Sequence, residues 1–489
     1  MRWILITLGS VIALIGLAVS ALVVLIDPDD YRDSISEVVQ AQTGRSLSID
    51  GSISWALFPR LGIDLREVSL GSGGGLNEFA FFSAKRLSLG IEIMPLLRGE
   101  LALEAITIDA PVLNLVRATN GKANWQDFGR QANASDSPSE PPQWLAGLSL
   151  GGISLSDGQI RFNDQVTGKR WQASDVDFAL ETLIIGRSSG FSADGQFEQD
   201  NATDQATIAG ELTIRADRSL SLEKTNLQID DIAITDFNVD VAITPAGIRL
   251  HPINARFFEG DYQGDVTLVR QSANRPLRFN ESLTNTQVGP LLAALVDVDQ
   301  LVGKGTVDLT GELELAGQAS AIETLNASGG LSLRDGAIEG INIAQVIRNA
   351  LARLEGRKPT SESTAQRTDF SQLSATLSIV NGIAHSNDLA LDSPLLRIRG
   401  EVRSDLAAQT LNANLTVNIV DTLEGQDGQA LESLRGIPIP LQVTGPWGDP
   451  SIRVNIAKVI EQTQSEPIRE RIEQEVNELR DRIEGLFNE

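Results

Sequence analysis

From Leu47 onward, apolar and polar residues alternate with a period of two, the pattern of a strand with one face turned to a core. LSLGIEI places Leu87, Leu89, Ile91 and Ile93 on one face; LALE starts a second run with Leu101 and Leu103; ITI adds Ile106 and Ile108. TIAGELTI groups Ile208, Leu212 and Ile214, and LSATLSI and LNANLTVNI group Leu377 and Ile379, then Leu415, Val417 and Ile419. Ser, Thr, Asp, Asn or Arg fills the alternate slots. Asp50-Gly51, Asn120-Gly121, Asp157-Gly158, Asp194-Gly195, Asp335-Gly336 and Asn381-Gly382 read as hairpin turns between these runs. The pattern predicts a mainly β protein, a long antiparallel meander that is apolar on one side.

Helical spacing breaks this rhythm in a few places. Asp27 or Asp29 can cap a helix ending at Gly44, in which Tyr31, Ile35, Val38 and Val39 share a face. Segments 286–305 and 340–357 carry apolar residues at helical spacing and end near glycine. After Ser465, Ile468, Ile472, Val476, Leu479, Ile483 and Leu486 form a seam suited to a C-terminal amphipathic helix. Residues 131–143 and 356–369, rich in Ser, Pro and charge, read as linkers.

Ahead of all this, Trp3–Ile26 contains no charged residue, and as a helix at about 1.5 Å per residue it crosses a hydrocarbon core of about 30 Å. The run continues past Ser20, longer than a signal-peptide core of about 7–15 residues. An uncleaved anchor is therefore expected, with Arg2 on the cytoplasmic side and the bulk of the chain on the far side. The expected organisation is an anchor (1–26), an N-terminal helix with the first strands (27–130), a linker (131–143), a β-body with helical insertions (144–455) and the C-terminal helix (456–489).

A meander with one apolar face must hide it by pairing sheets, closing a barrel, or curling into a trough that something else fills. An outer-membrane barrel needs strands of about 9–11 residues and aromatic girdles; the runs here are mostly shorter, and Tyr and Trp number 2 and 6. Between a β-sandwich and an elongated groove, the groove is preferred. Composition narrows function further. The absence of cysteine rules out disulfides, thiolate metal sites and lipid attachment through Cys, and a net charge of −25 argues against nucleic acid.

Chemistry for an enzyme is thin, so no catalytic residue, metal or cofactor is expected. His251 and His385 lie far apart, and Gly147-Leu148-Ser149-Leu150-Gly151 matches GxSxG inside strand-like sequence instead of a strand-to-helix elbow. Gly71–Gly75 lacks the lysine of a phosphate loop, as Gly303-Lys304-Gly305-Thr306 lacks its upstream glycine. Asp175/Asp177, Asp230-Asp231 and Asp297/Asp299 do not complete a calcium loop. The collective aliphatic strip (Leu87, Leu89, Ile91, Leu101, Leu103, Ile208, Leu212, Ile214, Leu377, Ile379, Leu415, Val417, Ile419) is the candidate site, suited to acyl chains that bind by area. Tyr31, Ile35, Val38 and Val39 form a candidate gate beside the membrane.

Several separated stretches resemble the bacterial AsmA family. They are the anchor followed by DPDDYRDSI and TGRSLSIDGSISWALFPRLGIDLREVSLG; APVLNLVRATNGKANWQDFG with its Asn124-Trp125 pair; and INARFFEGDYQGDVTL with Phe258, Gly260 and Gly264. LSLRDGAIEGINIAQVIR, the 368–406 stretch and IPIPLQVTGPWGDPSIRV follow in order. The resemblance implies a single-pass inner-membrane protein with a periplasmic, repeating-β-groove body, associated with outer-membrane biogenesis and lipid homeostasis. Its implied partners are membrane phospholipid or lipopolysaccharide. A non-enzymatic scaffold for envelope proteins, with the C-terminal helix as partner site, is the alternative.

Overall fold

A computed structural model describes residues 27–56, 62–73, 80–91, 103–125, 149–199, 202–217, 219–270, 272, 274–315, 320–354, 366–420 and 436–455. The anchor segment, Leu101, the 131–143 linker and the C-terminal seam lie outside them, as do the side chains of Ile91 and Leu103. Among the described residues no helix is long and apolar enough to cross a membrane. Strand dominates, and the chain divides into two compact units, Met1–Thr235 and Asp236–Glu489.

The first unit begins with a 3-10 turn, Pro28–Tyr31, capped by the Asp27 carboxylate accepting from the Asp29 N–H, and helix α1, Arg32–Thr43. Gly44, at φ +73°, ends α1, as its lack of Cβ allows. The strands are β1 (Leu47–Ile49), β2 (Ile53–Ala56), β3 (Gly62–Leu70), β4 (Phe82–Ile91), β5 (Leu103–Asp109), β6 (Val112–Arg117), β7 (Ser149–Leu150), β8 (Ile153–Asp164), β9 (Arg170–Leu180), β10 (Leu183–Ile184), β11 (Ser188–Gln199), β12 (Ala202–Ile214) and β13 (Leu220–Ile229). β14 (Ile232–Ile243) carries the unit boundary.

Pairing in this unit is antiparallel with one exception. β5 and β6 form a single line kinked at Ala110-Pro111, and both lie parallel to β8, Ile106 opposite Ile153 and Arg117 opposite Asp164. Tight hairpins return a chain antiparallel, whereas a parallel neighbour needs a crossover of a dozen or more residues. The long connection from Arg117 to Ile153 supplies that length, and the proposed linker falls inside it. Period-two reading could not see this step.

The second unit is antiparallel throughout: β15 (Gly247–Phe257), β16 (Gly260–Val269), β17 (Pro276–Gln287), β18 (Leu301–Glu314), β19 (Asn326–Glu339), β20 (Arg367–Val380), β21 (Ile383–Asp392), β22 (Leu396–Asp405), β23 (Thr410–Ile419), β24 (Ile439–Pro446) and β25 (Ser451–Val454) pair in sequence order. Among the described residues two α-helices, α2 (Val288–Val296) and α3 (Ile343–Leu354), and a short 3-10 turn, Ile322–Thr324, interrupt it. The helical reading of 286–305 is too long. Asp297 takes a left-handed conformation at φ +56° and turns its N–H back to the Ala293 carbonyl, which ends α2; Leu301 already belongs to β18. α3 starts as expected near 340, where Asn342 Oδ1 accepts the Gln345 N–H at 2.9 Å as an N-cap.

Four of the six predicted hairpin turns do not reverse the chain. Asp50-Gly51 joins β1 to β2, which run as one line antiparallel to β3. Asp157-Gly158, Asp194-Gly195 and Asp335-Gly336 lie inside β8, β11 and β19. Asp157 and Asp335 have φ +57° and +49°, and register shifts flank Gly158. Asp tolerates the left-handed region that a primed turn requires, and a β-bulge uses the same freedom.

Candidate functional site

Strand register in the first unit brings scattered apolar positions into continuous rows. One row reads Leu65, Leu87, Ile108, Leu155, Phe178, Ala193, Ile208 and Leu227, each opposite the next across β3, β4, β5, β8, β9, β11, β12 and β13. A neighbouring row runs Ile63, Leu89, Ile106, Ile153, Leu180, Phe191 and Gly210. The interleaved row on the other face is Asp64, Ser88, Thr107, Ser154, Ala179, Ser192, Ala209 and Asn226. Seven steps at about 4.8 Å carry the first row over about 34 Å. Of its members only Leu65 is buried; the rest are partly exposed.

Leu65 is covered because α1 packs at that end. Ile49, Ile53, Leu65 and Val68 form a small core against which Ile35, Leu47, Ile63, Leu87 and Leu89 pack. Arg32 holds the helix down by donating to the Ile49 and Gly51 carbonyls, while Asp29 accepts the Ile53 N–H at 3.0 Å. That backbone bond, with the Arg32 side chain beside it, lowers the Asp29 carboxyl. The four residues expected on one gate face are split: Ile35 and Val39 are partly buried, whereas Tyr31 and Val38 are 53% and 61% exposed.

At one end of strands β8, β9 and β11 the face becomes aromatic. Phe162 stacks on Trp171 at 5.2 Å, Trp171 meets Phe197 at 5.4 Å, and Trp125 lies 6.0 Å from Phe162. Phe162, Trp171 and Phe197 escaped the period-two reading because each is a single ring in a polar-looking run. Only cross-strand register joins them. The neighbouring Asn124 is 1% exposed: its Oδ1 accepts the Val116 N–H at 3.0 Å and its Nδ2 donates to the Asn114 carbonyl at 2.8 Å. Buried Arg45 donates to the Asn124 carbonyl at 2.6 Å and sits 4.3 Å above the Phe81 ring. The Asn-Trp pair thus has two jobs, a clasp and a ring on the apolar face.

Of the predicted strip residues in this unit, Leu87, Leu89, Ile208, Leu212 and Ile214 share that face and are partly exposed; Leu212 stands opposite Leu222 and Ile214 opposite Leu220. In the second unit, Leu377 and Leu415 are partly exposed, but Ile379, Val417 and Ile419 are 6%, 0% and 2% exposed. Val417 and Ile419 belong to a core of Val288, Leu333, Ile343, Ile347, Phe370, Leu373, Leu391, Leu396, Ile398, Ile439 and Leu441, so α2 and α3 contribute side chains to it.

The residues weighed for catalysis fall in ordinary strand positions. Ser149 lies in β7, paired with β10 and followed by strand, not helix. His385 is an exposed strand residue, and His251 is 3.0 Å from Asp265. Lys304 pairs with Glu259 at 3.5 Å. Among the described residues no group of three His, Asp or Glu is placed to hold a metal ion.

Fold and face together define a mainly β protein built from long meanders, with an extended aliphatic surface on one side. The AsmA family model matches residues 1–220 and 211–389, and the chain belongs to the AsmA family. It is similar to Protein AsmA of Escherichia coli (strain K12), with 20% identity over 584 aligned positions that cover 91% of this chain and 92% of that protein.

Proposed function

We propose that this chain is a non-enzymatic lipid carrier of the bacterial envelope, anchored in the inner membrane by residues 3–26 with its body in the periplasm. Its first-unit apolar face holds acyl chains, and phospholipid or lipopolysaccharide moves along it, by conduction or by shuttling, toward the outer membrane. The observation that carries the reading is the eight-strand row from Leu65 to Leu227, apolar at every position and partly exposed at seven.

The energetics suit transfer. Each methylene removed from water contributes about 0.8 kcal/mol, whether a bilayer or an aliphatic face receives it. Exchange between the two is therefore nearly balanced, and nothing directional holds the chain at one point of the row. A single leaflet contributes about half of a hydrocarbon core of about 30 Å, so a row of about 34 Å accepts a whole acyl chain. α1, whose Ile35 packs at the first strands, closes the row at its N-terminal end and stands next to the anchor in sequence. The family membership supports the envelope setting.

Photoreactive residues at Leu155 and Ile208 in the full chain test the reading. Crosslinking to phospholipid is expected at both and not at Ser154 on the opposite face. With the photoreactive residue at Leu155, Ile208→Asp should abolish the crosslink without altering the far-ultraviolet circular dichroism. Equal labelling of both faces, or labelling of neither, overturns the proposal.

A further inference from the structure

One carboxylate interrupts the apolar face of the second unit. The register row Ile253, Gly264, Glu281, Leu309, Gly329 and Leu377 crosses β15 to β20, and along β17 the neighbours of Glu281 on the same face are Phe279 and Leu283. Tyr262, one position along β16 on that face, donates its hydroxyl to Glu281 Oε2 and is itself flanked by the Phe257 ring at 5.6 Å. Gly264 makes the arrangement possible: a Cβ there would stand 2.1 Å from Glu281 Oε2 and 2.7 Å from the Tyr262 hydroxyl. The carboxylate and the hydroxyl occupy the room that the missing Cβ leaves on an otherwise aliphatic face.

The pair has no cation of its own. Among the described residues Glu281 makes no ion pair, and the Arg249 guanidinium is engaged by Asp265 at 2.7 Å. Burial, together with the charge of Asp265, pushes the Glu281 carboxyl up against the opposing effect of the Tyr262 bond, and burial raises the Tyr262 hydroxyl as well. A carboxyl so placed, short of a counter-ion yet open to the face, is completed by a protonated amine and repels phosphate or sulfate. Leu309, next to it in the row, and Leu377, two strands further along, are partly exposed and accept the chain that the amine would carry.

We propose that Glu281, held by Tyr262 over Gly264, is a recognition point for amphiphiles bearing a primary ammonium close to their acyl chains. The assignment rests on the reading that aliphatic faces of this protein take acyl chains, and adds a head-group preference at one place on them.

The test uses the full chain with photoreactive residues at Leu309 and, separately, at Ile208, incubated with vesicles of equal phosphatidylethanolamine and phosphatidylglycerol. At Leu309 the ethanolamine lipid should be captured about tenfold over the glycerol lipid, the worth of one hydrogen bond to a charged group. Glu281→Gln should bring the ratio to about one, whereas Tyr262→Phe, which keeps the carboxylate, should preserve the preference. Vesicles whose ethanolamine is N-acylated, presented to the unaltered chain, should lose it too, which keeps the test decisive if the Gln variant folds poorly. An equal ratio at Leu309, or a preference that survives Glu281→Gln or N-acylation, overturns the recognition point and leaves the acyl-chain reading standing if Ile208 still crosslinks. Silence at both positions overturns both.

Discussion

The two units use the same strand grammar and arrive at opposite surfaces. In the first, the Leu65–Leu227 row is covered only at its start, under α1, and seven of its eight members stay partly exposed. In the second, an equivalent row, Thr286, Gly305, Leu333, Leu373, Leu391, Ile398, Val417 and Ile439, also crosses eight strands, and every member is buried. The difference is two inserted helices. Val288 of α2 and Ile343 and Ile347 of α3 join the core built on that row, and the Thr368 hydroxyl pins the start of α3 by accepting from the Ile343 N–H and donating to the Ile341 carbonyl. An apolar sheet face is a commitment only to be covered. What covers it decides whether the face is a core or a binding surface.

This contrast can be broken most severely at the cover. Ile347 is 1% exposed, and Ile347→Asp should destabilise the second unit by more than about 4 kcal/mol, because a carboxylate is placed among aliphatic side chains without a partner. Urea unfolding followed by circular dichroism measures it. If the variant instead stays folded and Val417 becomes labelled by a lipid photoprobe, α3 is a movable lid and the contrast between units is one of state, not of construction.

Truncations within the rows come next. Ile398→Ala, at a position 1% exposed, should cost about 2–4 kcal/mol, while Leu155→Ala on the open row should cost less than about 1.5 kcal/mol. Equal losses would mean that the first face is packed as tightly as the second. Asn124→Ala should fall between them, at about 1–3 kcal/mol, since it strands the Val116 N–H and the Asn114 carbonyl. Unchanged thermal stability of that variant would remove the clasp.

The smallest effect is a pH slope. Burial raises the Glu281 carboxyl in the folded chain, so the native state holds a proton more tightly than the unfolded state. Its contribution is fully present below the unfolded carboxyl value of about 4.3 and fades as pH climbs through the raised native value. Glu281→Gln should therefore flatten the decline of the melting temperature with rising pH above that point. An identical slope in both proteins would show that this carboxyl is ordinary.

Much of the fold was legible in local pattern because the signals are local. Alternation names strands, Gly44 ends α1, and Asn342 begins α3 where its side chain can cap. Asp-Gly pairs at 50, 157, 194 and 335 do not make hairpins, because a bulge and a turn draw on the same backbone freedom. The 286–305 reading overextends the helix because Val298, Leu301 and Val302 continue helical spacing nearly as well as alternation, and the left-handed Asp297 that ends α2 has no unique sequence mark. The aromatic run Phe162, Trp171 and Phe197 was illegible, since strands far apart in number meet only through register.

Sequence alone determined that strands of this chain would have one aliphatic and one polar side, for that is a property of each segment and its period. It also determined the family, through ordered motifs. Tertiary structure decided which aliphatic rows meet, that β5 and β6 run parallel to β8, and that α2 and α3 close one face while α1 covers only the edge of the other. Burial is a property of a neighbourhood, and Ile208 and Val417, alike in sequence context, differ because only one has a helix's side chains in its core.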